Sequence, residues 1–325
     1  MNRRGVIIHP EEASPRWLRL LKQSELNVLG IHPVGGPLAD QTLDAFIHRY
    51  STPEFQSFRN AVLDLGCDFE FELHALTYLM PRSLFGAHPD WFRVDLEGKR
   101  NPDFNLCFSN ADAVGYIKKA AEKLARTLVP TSGRYYLWLD DVFYADSFCH
   151  CEKCRQLNAA DQQLIAVNAM ADAIRQFNPE AQIAHIAYLD AIVVPQVVKP
   201  AEGVFLEYAP YRRTYDYAIN DPACEMNVKE SASLPGLIEY FGAKNAQVLE
   251  YWVDNSYFSK WTKPPVKLPF KPEQMKREVA FYRSLGFESM TSFACYLGED
   301  YVELYGEPPI QLYGQILKAG MRGLA

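Results

Sequence analysis

The segment Tyr135-Tyr136-Leu137-Trp138-Leu139-Asp140-Asp141 is a short apolar run that ends in two acids. Its length suits a buried strand. Seven similar runs, most of which also end in polar residues, occur along the chain: Gly5–His9, Val28–His32, Asp68–His74, Gln182–Tyr188, Val204–Tyr208, Ala246–Trp252 and Ser289–Cys295. We therefore predict eight strands with chemistry-bearing residues at their carboxyl ends.

Segments with helical periodicity alternate with these runs. The clearest are Pro53–Asp64, Asn110–Leu128, Asp161–Phe177, Lys271–Leu285 and Pro309–Lys318. Alternating strands and helices predict parallel βαβ units, and eight units predict a closed (β/α)8 TIM barrel. With 325 residues and no internal repeat or linker, we expect one domain spanning residues 1–325. A dinucleotide-binding open sheet is disfavoured, because the segment after the first run, His9-Pro10-Glu11-Glu12, lacks the required glycines.

Three segments are longer than a minimal barrel needs. They are Thr77–Cys107 after strand three, Val142–Asn158 after strand four and Ala209–Ser233 after strand six. Barrel enzymes build their sites from the loops that follow strand carboxyl ends. We therefore expect the functional site at that face.

Composition limits the partners that this chain would bind. The formal net charge of -7 argues against nucleic acid and anionic membranes. The amino terminus shows no signal peptide, and no apolar stretch is long enough to span a bilayer, so we expect a cytoplasmic protein. Aromatic residues make up 13% of the chain, which suits either a large core or a sugar-binding cleft. A homo-oligomer is compatible with these data.

A cysteine cluster follows strand four. The segment Cys149-His150-Cys151-Glu152-Lys153-Cys154 gives the pattern C-x-C-x2-C, and three thiols at this spacing can converge on a structural zinc ion. Cys107 is the best fourth ligand, since it ends the loop after the neighbouring strand, and His150 is the second choice. Surface thiols without metal and a redox-active cysteine remain the alternatives. Three other cysteines are expected to be buried thiols: Cys67, Cys224 and Cys295.

Carboxylates occupy several predicted strand ends. Asp140 and Asp141 end strand four, Glu207 lies near the end of strand six, and Glu250 lies near the end of strand seven. Glycoside hydrolysis needs a proton-donating acid and an ionised carboxylate, so these four are the candidate catalytic residues. The alternative for each is a helix cap or an ion pair.

Histidines and aromatic residues form a second set of candidates. His9, His32, His74 and His185 lie at or near the ends of strands one, two, three and five, where they would bind sugar hydroxyls or a catalytic metal. Sugar-stacking aromatic residues would be Trp91, Tyr208, Tyr251, Trp252 and Tyr296. Satisfied polar groups and ordinary core packing are the alternatives.

The stretch from His74 to about Val204 resembles the DUF4838 family. The motifs that carry the likeness are His88-Pro89-Asp90-Trp91-Phe92, Gly98-Lys99-Arg100, Asn105-Leu106-Cys107-Phe108-Ser109-Asn110, Asp140-Asp141 and Phe148-Cys149-His150-Cys151-Glu152-Lys153-Cys154. The resemblance implies a barrel similar to glycoside hydrolases of polysaccharide-degrading systems, and so a carbohydrate substrate.

The thiol pattern also resembles the zinc cluster of glycoside hydrolase family 42. That resemblance implies Cys107 as fourth ligand, Asp141 as acid/base and Glu250 as nucleophile, with Glu207 as its rival. Strand four here ends in two aspartates, not in Asn-Glu. The Asp-Asp pair is also similar to that of family 20 hexosaminidases, which would make Asp140 the orienting residue while the substrate's own acetamido group attacks.

Three functions therefore follow from the sequence. The first is a glycoside hydrolase acting on a small glycoside or oligosaccharide by carboxylate acid/base catalysis. The second is a barrel that binds carbohydrate without turnover. The third is a metal-dependent sugar-modifying enzyme that uses the strand-end histidines.

Overall fold

The computed structural model describes residues 3–142 and 146–320. Within these ranges, eight parallel strands close into a barrel in the order β1 to β8. The strands are β1 (Arg3–Ile8), β2 (Val28–Ile31), β3 (Asp68–His74), β4 (Arg134–Trp138), β5 (Gln182–Ala187), β6 (Val204–Tyr208), β7 (Gln247–Glu250) and β8 (Ser289–Phe293). The predicted (β/α)8 TIM barrel is confirmed.

Twelve α-helices lie in the described ranges. They are α1 (Pro15–Gln23), α2 (Ala39–Tyr50), α3 (Pro53–Asp64), α4 (Leu76–Leu79), α5 (Ala111–Thr127), α6 (Ala159–Arg175), α7 (Glu225–Ser231), α8 (Leu234–Phe241), α9 (Asn255–Phe258), α10 (Pro272–Ser284), α11 (Glu299–Tyr305) and α12 (Ile310–Gly320). The five predicted helices are all present, with ends within two residues of those expected. Asn110 caps α5, because its side chain accepts a hydrogen bond from Ala113 N at 3.0 Å.

Several strands end earlier than predicted. β4 stops at Trp138, whereas the apolar run continues to Asp141. The carbonyl of Leu139 accepts a hydrogen bond from the His74 ring, with His74 Nδ1 at 2.8 Å. The last residues of the run therefore belong to the loop, where their side chains are available to a site.

The chain divides into two compact units. Unit 1 comprises Met1–His32, Ser51–Glu70 and Glu207–Ala325, and unit 2 comprises Pro33–Tyr50 and Phe71–Leu206. The assignment of residues 1–325 to one domain remains a prediction.

Close strand packing in unit 1 requires a glycine in β1. Gly5 pairs with Val28 of β2 and Thr291 of β8. A Cβ at this position would lie 2.8 Å from Val28 Cβ and 3.0 Å from Thr291 Cγ2, closer than packed carbons approach. The absence of a side chain thus lets β1 lie between its two neighbours.

Unit 2 is organised around β3, β4 and β5, with α5 packed against α6. β3 pairs with β4 through Glu72↔Tyr136 and His74↔Trp138, and β4 pairs with β5 through Arg134↔Gln182. Parallel strands end together, so this register brings the loops after β3, β4 and β5 to one edge. In the part of the chain that the structure describes, no helix combines the length and the apolarity that crossing a bilayer requires.

Candidate active site and metal centre

Asp140 is held tightly at the end of β4. Its carboxylate accepts hydrogen bonds from Thr77 Oγ1 and from Asn105 N, both at 2.6 Å, and forms an ion pair with Arg82. Its side chain is only 8% exposed. Both oxygens are thus used to fasten the long loop after β3, so Asp140 has a positioning role at this edge.

Asp141 differs from its neighbour because its carboxylate has fewer hydrogen-bond partners. It is half-buried, and Tyr188 donates its hydroxyl to Asp141 Oδ1 at 3.1 Å. Among residues 3–142 and 146–320, no other group donates a hydrogen bond to this carboxylate. One oxygen therefore remains available to a ligand.

Gly35 lies against this part of the site. A Cβ built on Gly35 would lie 2.7 Å from His74 Cδ2 and 3.3 Å from Asp141 Oδ2. The loop after β2 therefore approaches His74 and Asp141 too closely for any residue larger than glycine.

A small polar cavity of about 30 Å³ adjoins Asp140, a volume that suits one or two water molecules. Its polar and aromatic lining includes His74, Asn105, Trp138, Asp140, Ser147, Gln163, Tyr188 and Asp190. Two of its lining residues, Asn105 (φ 46°) and Leu189 (φ 49°), have left-handed backbone conformations. Such strained residues concentrate at functional sites.

Four residues contact Asp140 or Asp141 or line this cavity without having been predicted as site residues: Arg82, Asn105, Tyr188 and Asp190. Tyr188 ends the fifth apolar run, so the strand-end rule that selected His74 would also have selected it. The other three lie in loops, where the sequence carried no comparable signal.

Glu250 occupies an interior position. The carboxylate has no exposed surface and accepts hydrogen bonds from Arg213 Nη1 and Tyr282 OH, both at 2.6 Å, and from Tyr215 OH at 2.7 Å. Because Tyr282 belongs to α10, the Glu250 side chain faces the helix layer. Gln247, an odd number of residues away on β7, faces the opposite side.

A second buried carboxylate extends the Glu250 network. Glu278 of α10 forms an ion pair with Arg213, and it accepts hydrogen bonds from Ile219 N at 2.8 Å and Trp252 Nε1 at 2.5 Å. Burial raises the pKa of the Glu250 carboxyl, the Arg213 charge lowers it, and the Glu278 charge raises it. This buried triad of Glu250, Arg213 and Glu278 joins the loop after β6 to α10.

Glu207 is also fully buried. Gln247 Nε2 donates a hydrogen bond to Glu207 Oε1 at 3.1 Å and contacts Thr291 Oγ1 at 3.3 Å. These contacts join β6, β7 and β8 on the face opposite to Glu250. Glu207 therefore lies among the barrel strands of unit 1.

The strand ends of unit 1 carry a cluster of rings. Ring centroids lie 5.8 Å apart for His9 and His32, 5.0 Å for His32 and Phe293, 5.6 Å for Phe293 and Tyr251, and 6.1 Å for His9 and Tyr296. Burial lowers the pKa of the His9 imidazole, which keeps its ring neutral near pH 7. The structure thus brings together four of the predicted substrate-binding residues of unit 1.

Other predicted substrate-binding residues are inaccessible. His185 lies inside β5 with no exposed surface, Tyr208 is fully buried with its hydroxyl 3.3 Å from Glu230 O, and Trp252 packs on Tyr282. His185 and Tyr208 therefore have no surface that a sugar could contact, whereas His9 keeps 9% of its surface exposed. The assignment of the strand-end histidines and aromatic residues to substrate binding remains a prediction.

Trp91 lies in a different part of unit 2 from the strand ends. Its ring centroid is 4.0 Å from that of His88, with the two rings stacked, and 5.3 Å from that of Tyr116 on α5. The structure therefore associates Trp91 with helix α5 and not with the end of a strand.

Four cysteines converge in unit 2. The Sγ atoms of Cys107, Cys149, Cys151 and Cys154 all lie within 4.8 Å of one another. Cys107 Sγ is 3.6 Å from Cys151 Sγ and 4.0 Å from Cys154 Sγ. In the described ranges these four form the one group of three or more such side chains that could hold a metal ion. The prediction that Cys107 completes the set is confirmed in its geometry.

The surroundings of the sulfur atoms fit a metal centre. A tetrahedral ion with sulfur ligands at about 2.3 Å places sulfur atoms about 3.8 Å apart, close to the distances found here. Val94 N donates to Cys149 Sγ at 3.3 Å, and Ser109 Oγ lies 2.9 Å from Cys154 Sγ. His150 is not in the group, because its ring pairs with Asp146.

The closed barrel of eight parallel strands is a (β/α)8 fold, and the comparisons with known proteins agree. Residues 45–292 match the family model described as "Domain of unknown function (DUF4838)". The match covers more than half of the chain, so this protein belongs to the DUF4838 family. No curated protein matches the chain.

Solved structures of glycoside hydrolases share the fold. Gan42B, a GH42 β-galactosidase, superposes with a TM-score of 0.55 at 12% identity over 98% of this chain and 56% of its own. The GH20 modules of the pneumococcal exo-β-D-N-acetylglucosaminidase StrH superpose with a TM-score of 0.52 at 10% identity, over 99% of this chain and 85% of their own. A GH5-4 endoglucanase from Bacteroides salanitronis superposes with a TM-score of 0.51 at 13% identity, over 94% of this chain and 85% of its own. This chain thus spans about half the length of the GH42 enzyme, and these likenesses establish the fold.

Proposed function

We propose that this protein is a glycoside hydrolase in which Asp141 is the general acid. The observation that carries the proposal is the half-buried Asp141 residue, whose carboxylate accepts a single hydroxyl from Tyr188 at 3.1 Å and has one oxygen with no hydrogen-bond donor among the described residues. A proton donor for a glycosidic oxygen must be reachable by substrate and fixed in orientation. Asp141 meets both requirements, whereas Asp140 is committed to Arg82, Thr77 and Asn105.

His74 is the proposed sugar contact beside Asp141 in unit 2, and the ring cluster of unit 1, taken by itself, is proposed to bind sugars. His9, His32, Tyr251 and Tyr296 combine ring faces with polar atoms. Sugar rings present an apolar face together with hydroxyls, so such mixed side chains suit them. The glycoside hydrolases among the similar structures support carbohydrate as the substrate class.

In this proposal Glu250 stabilises the fold and is not the nucleophile. Both of its oxygens already accept hydrogen bonds in an interior that has no exposed surface. Glu207 is excluded as a nucleophile on the same ground of complete burial. A substrate whose own acetamido group attacks the anomeric carbon needs no protein nucleophile, so 2-acetamido sugars belong in the substrate screen.

We infer further that the cysteine cluster holds a structural zinc ion. Four thiolates in tetrahedral arrangement are the usual ligands of closed structural zinc sites. Zinc would fix the loop after β4, which contains Asp141, to the end of the loop after β3. Metal analysis of the purified protein tests this inference: about one zinc per chain is expected, and a metal-free protein of undiminished stability would contradict it.

A screen of chromogenic glycosides with wild type and Asp141→Asn tests the main proposal. We expect the substitution to lower kcat by about 10²–10⁴-fold, since that is the usual contribution of a general acid. Asp64→Asn, at an exposed aspartate in α3, is the matched control and is expected to retain activity. Equal rates for Asp141→Asn and wild type would refute the assignment.

Glu250→Gln separates the structural role from the nucleophilic role. If Glu250 stabilises the fold, Glu250→Gln should lower the melting temperature, while kcat of the folded enzyme changes only a few-fold. If Glu250 is the nucleophile, Glu250→Gln should lower kcat by orders of magnitude. A large loss of kcat at unchanged stability would contradict our assignment.

The burial of Glu250 and Glu207 also favours a second candidate function, a barrel that binds carbohydrate without turnover. It predicts saturable sugar binding in wild type, with no turnover of any glycoside in the screen. The metal-dependent alternative is less supported, because the strand-end histidines are not part of the metal-ligand group in the described residues.

A further inference from the structure

We propose that a groove between α2 and α5 is a second carbohydrate-binding site, separate from the strand-end site. The groove belongs entirely to unit 2 and has a volume of about 1080 Å³. Drug-sized ligands occupy pockets of about 300–1,000 Å³, so this groove can accommodate several linked sugar rings. The proposal goes beyond the proposed hydrolase activity and shares with it only the class of ligand.

Opposite charges line the two helices of the groove. Asp40 and Asp44 lie one turn apart on α2, and Lys119 and Lys123 lie one turn apart on α5. Residues four apart share a helix face, so each helix presents its pair to the groove. Asp40, Lys119 and Lys123 form no side-chain hydrogen bond or ion pair with any other residue of the described ranges. These three charged groups are therefore available to a ligand.

This charge pattern selects for a neutral ligand rich in hydroxyl groups. The carboxylates of Asp40 and Asp44 would repel a polyanion. The ammonium groups of Lys119 and Lys123 would repel a polycation in the same way. A sugar hydroxyl both donates and accepts hydrogen bonds, so one oligosaccharide can satisfy the two sides at once.

Aromatic rings supply the apolar contact that sugars need. Tyr78 and Tyr116 line the groove, and Tyr116 is 36% exposed. Beyond Tyr116, the stacked pair of Trp91 and His88 continues the row of rings, with 5.3 Å between the ring centroids of Tyr116 and Trp91. This row extends the ring surface beyond the groove, which suits a chain of sugars better than a single ring.

One lining residue connects the groove to the candidate acid pair. Thr77 lines the groove and also donates its hydroxyl to Asp140 at 2.6 Å. The groove therefore adjoins the loop that Asp140 fastens. An oligosaccharide held there would be retained close to the edge of unit 2 that carries Asp141.

Binding of four hexasaccharides to the full chain tests the proposal. Maltohexaose, cellohexaose, mannohexaose and xylohexaose are titrated by calorimetry up to about 1 mM. We expect at least one to bind wild type, and Tyr116→Ala to weaken that binding about tenfold. Tyr305→Ala, at an exposed tyrosine on α11 outside the groove, is the matched control and should bind as wild type does.

Four checks keep the outcome interpretable. Melting temperatures check that Tyr116→Ala is folded, and Lys123→Met, at an exposed groove position, provides an independent variant that should also weaken binding. Turnover of a small chromogenic glycoside should be the same in Tyr116→Ala and wild type. Sedimentation of wild type and Tyr116→Ala shows whether the groove instead joins two copies of the chain.

Absence of binding by all four hexasaccharides would overturn the proposal, as would equal affinity of Tyr116→Ala and wild type. A wild-type dimer that Tyr116→Ala dissociates would also overturn it, in favour of a contact between two copies. If no glycoside is hydrolysed but Tyr116-dependent binding is measured, the proposed hydrolase activity fails while the second site stands. If Asp141→Asn abolishes turnover and the groove binds nothing, the proposed hydrolase activity stands and the second site fails.

Discussion

Replacing Arg213 by methionine should destabilise this protein more than any surface substitution. The guanidinium is the cation of a buried triad: it lies 2.6 Å from Glu250 Oε1 and pairs with Glu278, and all three side chains have no exposed surface. Its ring contact with Tyr215, at 4.2 Å from the centroid, adds a cation–π interaction. Methionine retains much of the side-chain volume but leaves two carboxylates without a cation.

The expected magnitude follows from the burial of the triad. Removing one partner of a buried, hydrogen-bonded ion pair costs about 3–5 kcal/mol. For a chain of 325 residues the entropy of unfolding is about 0.7 kcal/mol per kelvin at the melting temperature. The melting temperature should therefore fall by roughly 4–7 °C.

The loss should depend on pH in a defined direction. Burial raises the pKa of Glu250 above its ordinary value of 4.5, and the Arg213 charge is the largest of the effects that lower this pKa. A carboxyl with a raised folded pKa loses stability as pH rises from the unfolded value through the folded value. Without Arg213 that pH range extends to higher values. The difference in stability between Arg213→Met and wild type should therefore be smallest near pH 4.5 and larger at pH 8.

Thermal unfolding of wild type, Arg213→Met and Arg212→Met at several pH values measures this effect. Arg212 is the adjacent exposed arginine, and its replacement should change stability by less than about 0.5 kcal/mol. Equal melting temperatures for Arg213→Met and Arg212→Met across the pH range would show that the triad does not stabilise the fold as argued.

Three further predictions test other parts of the structure. Cys107→Ser should reduce bound metal and lower the melting temperature, as metal analysis and calorimetry would show, because one of four converging thiols is lost. Burial raises the pKa of Glu12 to about 8, so its contribution to stability should fall as pH rises from 4.5 to 8, and Glu12→Gln should flatten the pH dependence of the melting temperature over that range. Gly35→Ala should lower kcat severalfold by displacing the His74 ring, which lies 2.7 Å from the added carbon, whereas Gly86→Ala meets no atom within 4 Å and should leave kcat unchanged.

The barrel could be predicted from the sequence because its signal is local and repeated. Apolar runs that alternate with amphipathic helices specify parallel βαβ units whatever the neighbouring residues are. Helix ends were also predictable, since capping residues such as Asn110 act over three positions. The strand ends were predicted less accurately. The predicted strand four continues through Leu139, Asp140 and Asp141, whereas β4 ends at Trp138.

The cysteine cluster was predictable for a related reason. Three of its members lie within six residues, and the fourth, Cys107, ends the loop after the preceding strand. Loops after neighbouring parallel strands meet at one edge, so fold class and spacing together were enough to select Cys107.

What the sequence by itself determined was the barrel and the four converging thiols. Only the tertiary structure decided how many hydrogen-bond partners each strand-end carboxylate has. Side chains alternate in direction along a strand, so a difference of one position exchanges the two faces. Glu250 meets Arg213, 37 residues earlier in the chain, and both are buried, whereas Asp141 meets a single tyrosine hydroxyl and keeps an oxygen free. Long-range contacts of this kind leave no periodic trace in the sequence.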